Sequence, residues 1–398
     1  MRLIFVNRFY WPNESATAQL LHDLARHLAS RGHEVHVIAS DSADSTRPVV
    51  ETLDGVRIHR VSRHAAKTGV AAKAREFVFF LLGAARALLR LSRRATTVVA
   101  MTDPPLLGVM ARFVTGLKGA RLVNWTQDIY PEIAIRLGSR RLVRASAALL
   151  LPSRTLAWRQ SDGCVAISEG MAGHLREEGV EAAAIEVIPN WAPRGLSPQS
   201  PSAGDRLKRD WELGGKFIVA YSGNLGRVHD LDSILDLAEE LRQDAGITLL
   251  IVGGGPGRAG LESAVARRTL TNVQFRPAQP RSRLAESLAV ADVHLITLRP
   301  ECADLVFPSK FYGIVQVGRP IAFIGPRDCE LARLVIRHRM GLAATPGEIP
   351  ALAAGLRAWA GHRASYDMAA AATVEFARTQ GGAEKAFTAW EALLGRLT

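Results

Sequence analysis

Short apolar runs recur along the first half of the chain, at residues 3–6, 34–39, 98–101, 121–125, 164–167 and 185–188. Between them, apolar side chains return at helical spacing over 16–30, 106–118, 142–160 and 170–178. Short buried strands separated by helices predict a parallel sheet covered on both faces. The series ends at Pro189-Asn190-Trp191-Ala192-Pro193, and the Pro-, Ser- and Gly-rich stretch down to Gly204 reads as a linker. A second alternation follows, with strands at 217–221, 248–252, 273–275, 293–298 and 321–324. The pattern therefore predicts an α/β chain of two doubly wound, Rossmann-like domains, 1–193 and 194–380. A C-terminal helix within 381–398 can cross back to the first domain. In such sheets ligands bind outside the carboxyl ends of the strands. Two facing domains would place the site in the cleft between them.

Composition narrows the class. A chain of 398 residues exceeds what one core usually serves, and a hydrophobic content of 48% supplies two. Cys164, Cys302 and Cys329 lie far apart, in neither a metal spacing nor a disulfide framework, which fits a reducing, cytosolic compartment. The opening run Arg2-Leu3-Ile4-Phe5-Val6 is too short for a signal peptide. No apolar stretch approaches the roughly 20 residues that span a bilayer.

The formal charge of +12 is unevenly placed. Residues 60–94 hold nine basic side chains (Arg60, Arg63, Lys67, Lys73, Arg75, Arg86, Arg90, Arg93, Arg94) and one acid, Glu76. Within them Phe77-Val-Phe-Phe-Leu-Leu82 precedes Arg86, Arg90 and Arg93, which fall at helical spacing opposite Leu81 and Leu88. Such a segment predicts a contact lying on an anionic membrane surface, each basic residue contributing about 1 kcal/mol. A buried helix with a solvated arginine edge is the plainer alternative. Aliphatic interleaving, rather than stacking aromatics and base-reading amides, argues against nucleic acid as a partner.

Four loops follow predicted strand ends. Residues 7–15 precede the first helix, where Asn13 or Ser15, flanking Glu14, can cap it and leave backbone N–H groups for an anion. Residues 126–132 carry Asp128, Tyr130 and Glu132. Residues 222–230 are glycine-rich and include Asn224 and Arg227. Phe307-Pro308-Ser309-Lys310 opens a helix that Gly318-Arg319-Pro320 stops; a hydroxyl and an ammonium beside unpaired N–H groups suit a phosphate or diphosphate. Arg227 and Lys310 follow strand ends of one predicted sheet, and two cations suit a nucleotide diphosphate leaving group. Each loop also has a plainer reading: Gly223 and Gly226 as turn residues, Asp128 and Glu132 as salt-bridged turn contacts, Lys310 as a surface lysine.

Two motifs mislead. Gly255-Pro256-Gly257-Arg258-Ala259-Gly260 matches G-x-G-x-x-G, but the next strand ends in Arg276-Pro277 rather than in an acid, so a dinucleotide is not expected. Asp230-Leu231-Asp232 resembles a metal-binding pair but suits a helix start. The histidines lack metal spacing, and no metal or other cofactor is expected.

In order along the chain, several of these motifs resemble the retaining glycosyltransferases of family 4, of GT-B fold. The closer resemblance is to fucosamine-transferase-like enzymes of bacterial O-antigen, capsule and exopolysaccharide synthesis. The matching pieces are Gly32-His33-Glu34-Val35, Gln127-Asp128-Ile129-Tyr130-Pro131-Glu132, Ile188-Pro189-Asn190-Trp191, Tyr221 through Arg227, Val252 through Pro256, and Phe307 through Tyr312 with Gly318-Arg319-Pro320. The resemblance implies a nucleotide-sugar donor, UDP-linked, held by the second domain. Asn224, Arg227, Ser309 and Lys310 would meet its diphosphate, and the backbone around Arg276 and Pro277 its base. Asn13, Glu14, Ser15 and Asp128 would serve the acceptor and the reaction centre. It implies a lipid-linked saccharide acceptor, transfer of a sugar such as an N-acetylated deoxyhexosamine, and a peripheral location at the inner face of the plasma membrane. The family's Glu-x7-Glu motif would fall on Leu305 and Gly313, neither acidic, which leaves Glu301 or Asp304 as candidates for the donor sugar. The first loop lacks the usual paired glycines, and His229 stands where many relatives have a lysine. A nucleotide-sugar epimerase of the same architecture and a non-catalytic donor-binding scaffold remain alternatives.

Overall fold

The computed structural model describes residues 1–42, 45–64, 70–138, 145 and 147–397. The chain divides into two compact units. The first comprises Met1–Asn190 with Leu305–Phe307 and Glu384–Thr398, and the second Trp191–Asp304 with Pro308–Ala383. The boundary thus falls three residues before the expected Pro193, and the C-terminal helix, Ala383–Arg396, belongs almost wholly to the first unit. There Trp390 packs edge-on against Trp125 at 4.9 Å, and His27 Nε2 lies 2.9 Å from Glu391.

The first unit is an eight-stranded sheet: β1 (Arg2–Val6), β2 (Glu34–Ser42), β3 (Val50–Leu53), β4 (Val56–His64), β5 (Thr96–Ala100), β6 (Arg121–Thr126), β7 (Gly163–Ala166) and β8 (Ile185–Val187). Their spatial order is β3-β4-β2-β1-β5-β6-β7-β8, parallel except for the β3–β4 hairpin. The hairpin escaped the apolar pattern because β4 alternates Val56, Ile58 and Arg60 toward the interior. Arg60 is buried, ion-paired with Glu51 and 3.4 Å from Asp41. It therefore leaves the basic surface to which its sequence position assigned it.

The helix Val70–Leu91 buries Phe80, Ala84 and Leu88 against β1, β2 and β5. Its outward stripe carries Arg75, Val78, Phe79, Leu82, Arg86 and Arg90. Beside it packs Leu107–Lys118, which leaves Phe113 69% and Leu117 63% exposed. Lys67 and the side chain of Lys73 lie outside the described residues. So does the start of the helix expected over 142–160, whose described part is Leu151–Arg159.

The second unit is a six-stranded, wholly parallel sheet: β9 (Phe217–Ser222), β10 (Ile247–Val252), β11 (Val273–Arg276), β12 (Val293–Thr297), β13 (Ile321–Ile324) and β14 (Gly341–Ala344). The order β11-β10-β9-β12-β13-β14 is the doubly wound arrangement, with its reversal between β9 and β12. Core side chains such as Tyr221, Leu249, Ile251 and Leu295 are essentially inaccessible. Strand β14, Gly-Leu-Ala-Ala, is too short and weakly apolar to stand out in sequence.

Candidate functional site

The loops leaving β9 and β12 meet at that reversal. Past Ser222 the chain turns at Gly223, whose φ of +129° favours glycine. The turn is tied to the loop after β10 by backbone hydrogen bonds from Gly223 to Val252 (2.9 Å), Leu225 to Gly254 (2.7 Å) and Gly257 to Leu225 (3.0 Å). A Cβ on Gly255 would collide with the Asn224 side chain and the Leu225 backbone. The G-x-G-x-x-G match is thus explained by loop-to-loop packing. It also turns the Asn224 amide toward that neighbouring loop.

Lys310 reaches back over this turn. Its Nζ is buried, 3.4 Å from the centroid of the Tyr221 ring, and has no hydrogen-bond partner among the described residues. Next to it, a Cβ on Gly223 would lie 3.5 Å from the Lys310 Cε. Burial holds the Lys310 amine well below its ordinary pKa. At the same two strand ends the hydroxyls of Ser222 and Thr297 are also buried without a partner. His229 donates from Nδ1 to the Thr297 carbonyl at 2.7 Å, and burial, then the Lys310 charge, lowers it to about 3. A neutral imidazole stands there, so the second cation of the site is not His229. Arg227 and Ser309 are exposed on the surfaces of their loops. Ser309 occupies the N-cap position of Lys310–Gln316 with its hydroxyl uncommitted to capping.

Other expectations fall out differently. The Arg276 guanidinium folds back onto the carbonyls of Trp211 (2.7 Å) and Phe275 (3.0 Å), and its own carbonyl accepts from Gly253 N–H and Arg258. This leaves the exposed Pro277 as the open member of that pair. Glu301 is exposed in a one-turn helix, Pro300–Cys302, and Asp304 is half-buried. Leu305 is fully buried, and Gly313 faces Leu288 and Leu196, so the two positions of the missing acidic motif lie in apolar surroundings.

In the first unit the sheet reverses between β2 and β5 on either side of β1. Arg8, just past β1, donates its N–H to the Asp103 carbonyl (2.8 Å) and pairs with its carboxylate at 3.3 Å. Ser15 is the N-cap of Ala16–Ser30, but its hydroxyl makes no cap bond; Asn13 Oδ1 instead accepts from Ser15 N–H at 2.9 Å. Glu14 is exposed.

Asp128 follows β6. Its N–H donates to Thr102 Oγ1 at 3.3 Å, and Ile129 N–H donates to the Leu305 carbonyl at 2.9 Å. The preceding Gln127 exchanges two amide hydrogen bonds with Asn190, at 3.0 and 2.9 Å, which joins two of the sequence motifs. The Asp128 side chain keeps contact with solvent while protein crowds it closely. That desolvation, and then the Asp103 charge, raises its pKa to about 6. A small pocket beside it is lined by Leu106, Val109, Asn124, Tyr130 and Trp158.

Glu132 does not share this role. It is buried, ion-paired with Arg154 and 3.2 Å from His174 Nε2, so the salt-bridged reading holds for it. Glu132, His174 and Glu178 bring ligand atoms within 4.8 Å of one another. The Arg154 guanidinium, stacked 3.7 Å over Trp158, already places a cation among them.

Comparison with known proteins places these loops in context. Residues 16–191 match the model of the glycosyl transferase 4-like domain, and residues 205–367 that of glycosyl transferases group 1. WcaI of Escherichia coli (strain K12), a glycosyl transferase assigned to colanic acid biosynthesis, is 31% identical over 251 residues. That match covers 62% of this chain and 61% of WcaI's length. A GDP-mannose-dependent alpha-mannosyltransferase of Mycobacterium tuberculosis (strain CDC 1551 / Oshkosh) is 28% identical, covering 87% of this chain and 85% of its own. Among solved structures, Anabaena Alr3699/HepE in complex with UDP-glucose superposes with a TM-score of 0.73 at 17% identity, covering 100% of this chain and 99% of that one.

Proposed function

This chain belongs to the family 4-type glycosyltransferases of GT-B fold, and we propose that it moves a sugar from a nucleotide diphosphate to a lipid-linked saccharide with retention, in surface polysaccharide synthesis. One observation carries the donor half. The Lys310 ammonium position is buried at the sheet reversal, with an aromatic face below it and no hydrogen-bond partner among the described residues. An isolated buried cation costs several kcal/mol, and a diphosphate arriving at that point supplies the missing counter-charge. As the glycosidic bond breaks, negative charge grows on the leaving phosphate, where a preplaced cation acts most strongly. The exposed Arg227 can approach the same group from the glycine turn. UDP-glucose in the HepE complex supports a UDP-linked donor, and the mannosyltransferase relative makes GDP the comparison to run.

Asp128 serves the incoming hydroxyl. With its pKa raised to about 6, it is ionised at neutral pH and can accept a hydrogen bond that orients the hydroxyl and its proton. In same-face attack the donor's phosphate takes that proton, and no protein nucleophile is needed.

The acceptor half rests on the first unit's outer helices. Phe79 and Leu82 on Val70–Leu91, with Phe113 and Leu117 on its neighbour, are 60–69% exposed. Exposed Arg75, Arg86, Arg90 and Lys118 accompany them. An apolar stripe among arginines suits an anionic bilayer surface, and no helix of the described residues is long and apolar enough to cross one. On this reading the chain works at the cytosolic face, where nucleotide sugars are made. The deciding assay supplies UDP- or GDP-sugars and a polyprenyl-diphosphate saccharide in anionic vesicles. Sugar transfer that requires both substrates is expected. Donor conversion without acceptor would replace transfer by epimerisation, and binding without conversion would leave a scaffold.

A further inference from the structure

A lysine ammonium carries three donors and no acceptor. At Lys310 Nζ none of the three finds an acceptor among the described residues. The groups packed around it do not compensate. From the loop after β9 comes His229, whose Nδ1–H is committed to the Thr297 carbonyl. From β12 comes His294, fully buried, its Nε2 2.9 Å from the Leu288 carbonyl, with Arg319 close enough to act on it. From β9 comes the face of Tyr221. The titratable neighbours are therefore neutral or cationic, and no carboxylate among the described residues pairs with the amine. A cation–π contact contributes less than burying an unpaired ion costs.

We propose that Lys310 is a neutral amine in the ligand-free protein and takes up one proton as a phosphate-bearing ligand binds, so that the proton is a co-ligand of the diphosphate. This rests on reading the site as a diphosphate site. The step balances as R–NH2 plus H⁺ from the buffer plus the phosphate anion, giving R–NH3⁺ held against phosphate oxygens, with no covalent bond broken. The buried hydroxyls of Ser222 and Thr297, at the adjoining strand ends, add two donors for the same oxygens. The depressed pKa of Lys310 agrees with this. The sign follows. Where the amine is already charged before binding, nothing is taken up. At higher pH, until the bound complex itself deprotonates, affinity falls tenfold for each unit of pH.

Titration calorimetry with UDP and with GDP tests this on the whole protein above about pH 8, where the terminal phosphate, whose second pKa is about 6, is fully ionised. Matched buffers of low and high ionisation enthalpy should give enthalpies that differ by about one buffer proton per nucleotide. The dissociation constant should rise about tenfold per pH unit. Lys310→Met should abolish the buffer dependence, and the wild-type series decides the matter even if that variant does not fold. Binding with equal enthalpy in both buffers, or with proton release, overturns proton uptake but leaves the donor site standing. Binding of neither nucleotide overturns the donor-site reading and this proposal with it.

Discussion

The two sheets share one architecture and use it for opposite charges. Each is a doubly wound, predominantly parallel sheet with candidate site loops near its reversal. In the second unit the buried group is Lys310, a would-be cation without an acid. In the first the corresponding group is Asp128, a solvent-contacting carboxylate with no paired cation among the described residues, near an Asp103 that pairs with Arg8. Topology gives the place, and withholding a partner gives the chemistry. Glu132 makes the contrast within one loop: four residues from Asp128, it is paired with Arg154 and adjoins His174. It is held in place instead of being left reactive.

The contrast breaks most directly at Asp128. Asp128→Asn should lower kcat by about 10²–10⁴ while nucleotide affinity, measured by calorimetry, stays unchanged. The wild-type rate should fall as pH drops through about 6, because the carboxylate must be ionised to accept the orienting hydrogen bond from the hydroxyl. Full turnover by the Asn variant would remove the carboxylate from the chemistry.

On the other sheet, Lys310→Met should cost about 10²–10³ in kcat/KM and weaken nucleotide binding as well. A loss confined to one parameter would mean that the amine is not a diphosphate contact. Gly255→Ala touches no charge, but its Cβ would meet the Asn224 loop at a φ of +124°. It should lower stability by about 1–3 kcal/mol, read as a drop in Tm, and weaken donor affinity through the displaced loop. Smallest at the chemistry, Phe79→Ser with Phe113→Ser should leave turnover on a water-soluble acceptor unchanged and reduce sedimentation with anionic vesicles. Unchanged sedimentation would detach the membrane from this face.

Much of the fold was legible because buried parallel strands are continuous apolar runs, as at 217–221 and 248–252. Where that signature fails, so did the reading. Strand β4 carries five basic or imidazole side chains among nine residues, and β14 is mostly glycine and alanine. Among site residues, Asp128, Lys310 and Asn224 stood out by motif. Tyr221 hid as the last apolar residue of a strand, and Thr297 as a polar residue near a strand end, although a threonine within that apolar run was a usable signal. Sequence also could not show that the Arg276 guanidinium turns back toward Trp211, 65 residues away along the chain.

From its residues alone, this chain was committed to two alternating α/β series, to loops at their strand ends, and to an amine and a carboxylate in two of those loops. Tertiary packing decided which charges stay uncompensated. Arg60 turned inward to Asp41 and Glu51, Glu132 met Arg154, and Lys310 met only an aromatic ring. Local periodicity is written in neighbouring residues. The balance between desolvation and pairing that sets a group's reactivity depends on side chains brought from distant parts of the chain, and only the folded structure assembles them.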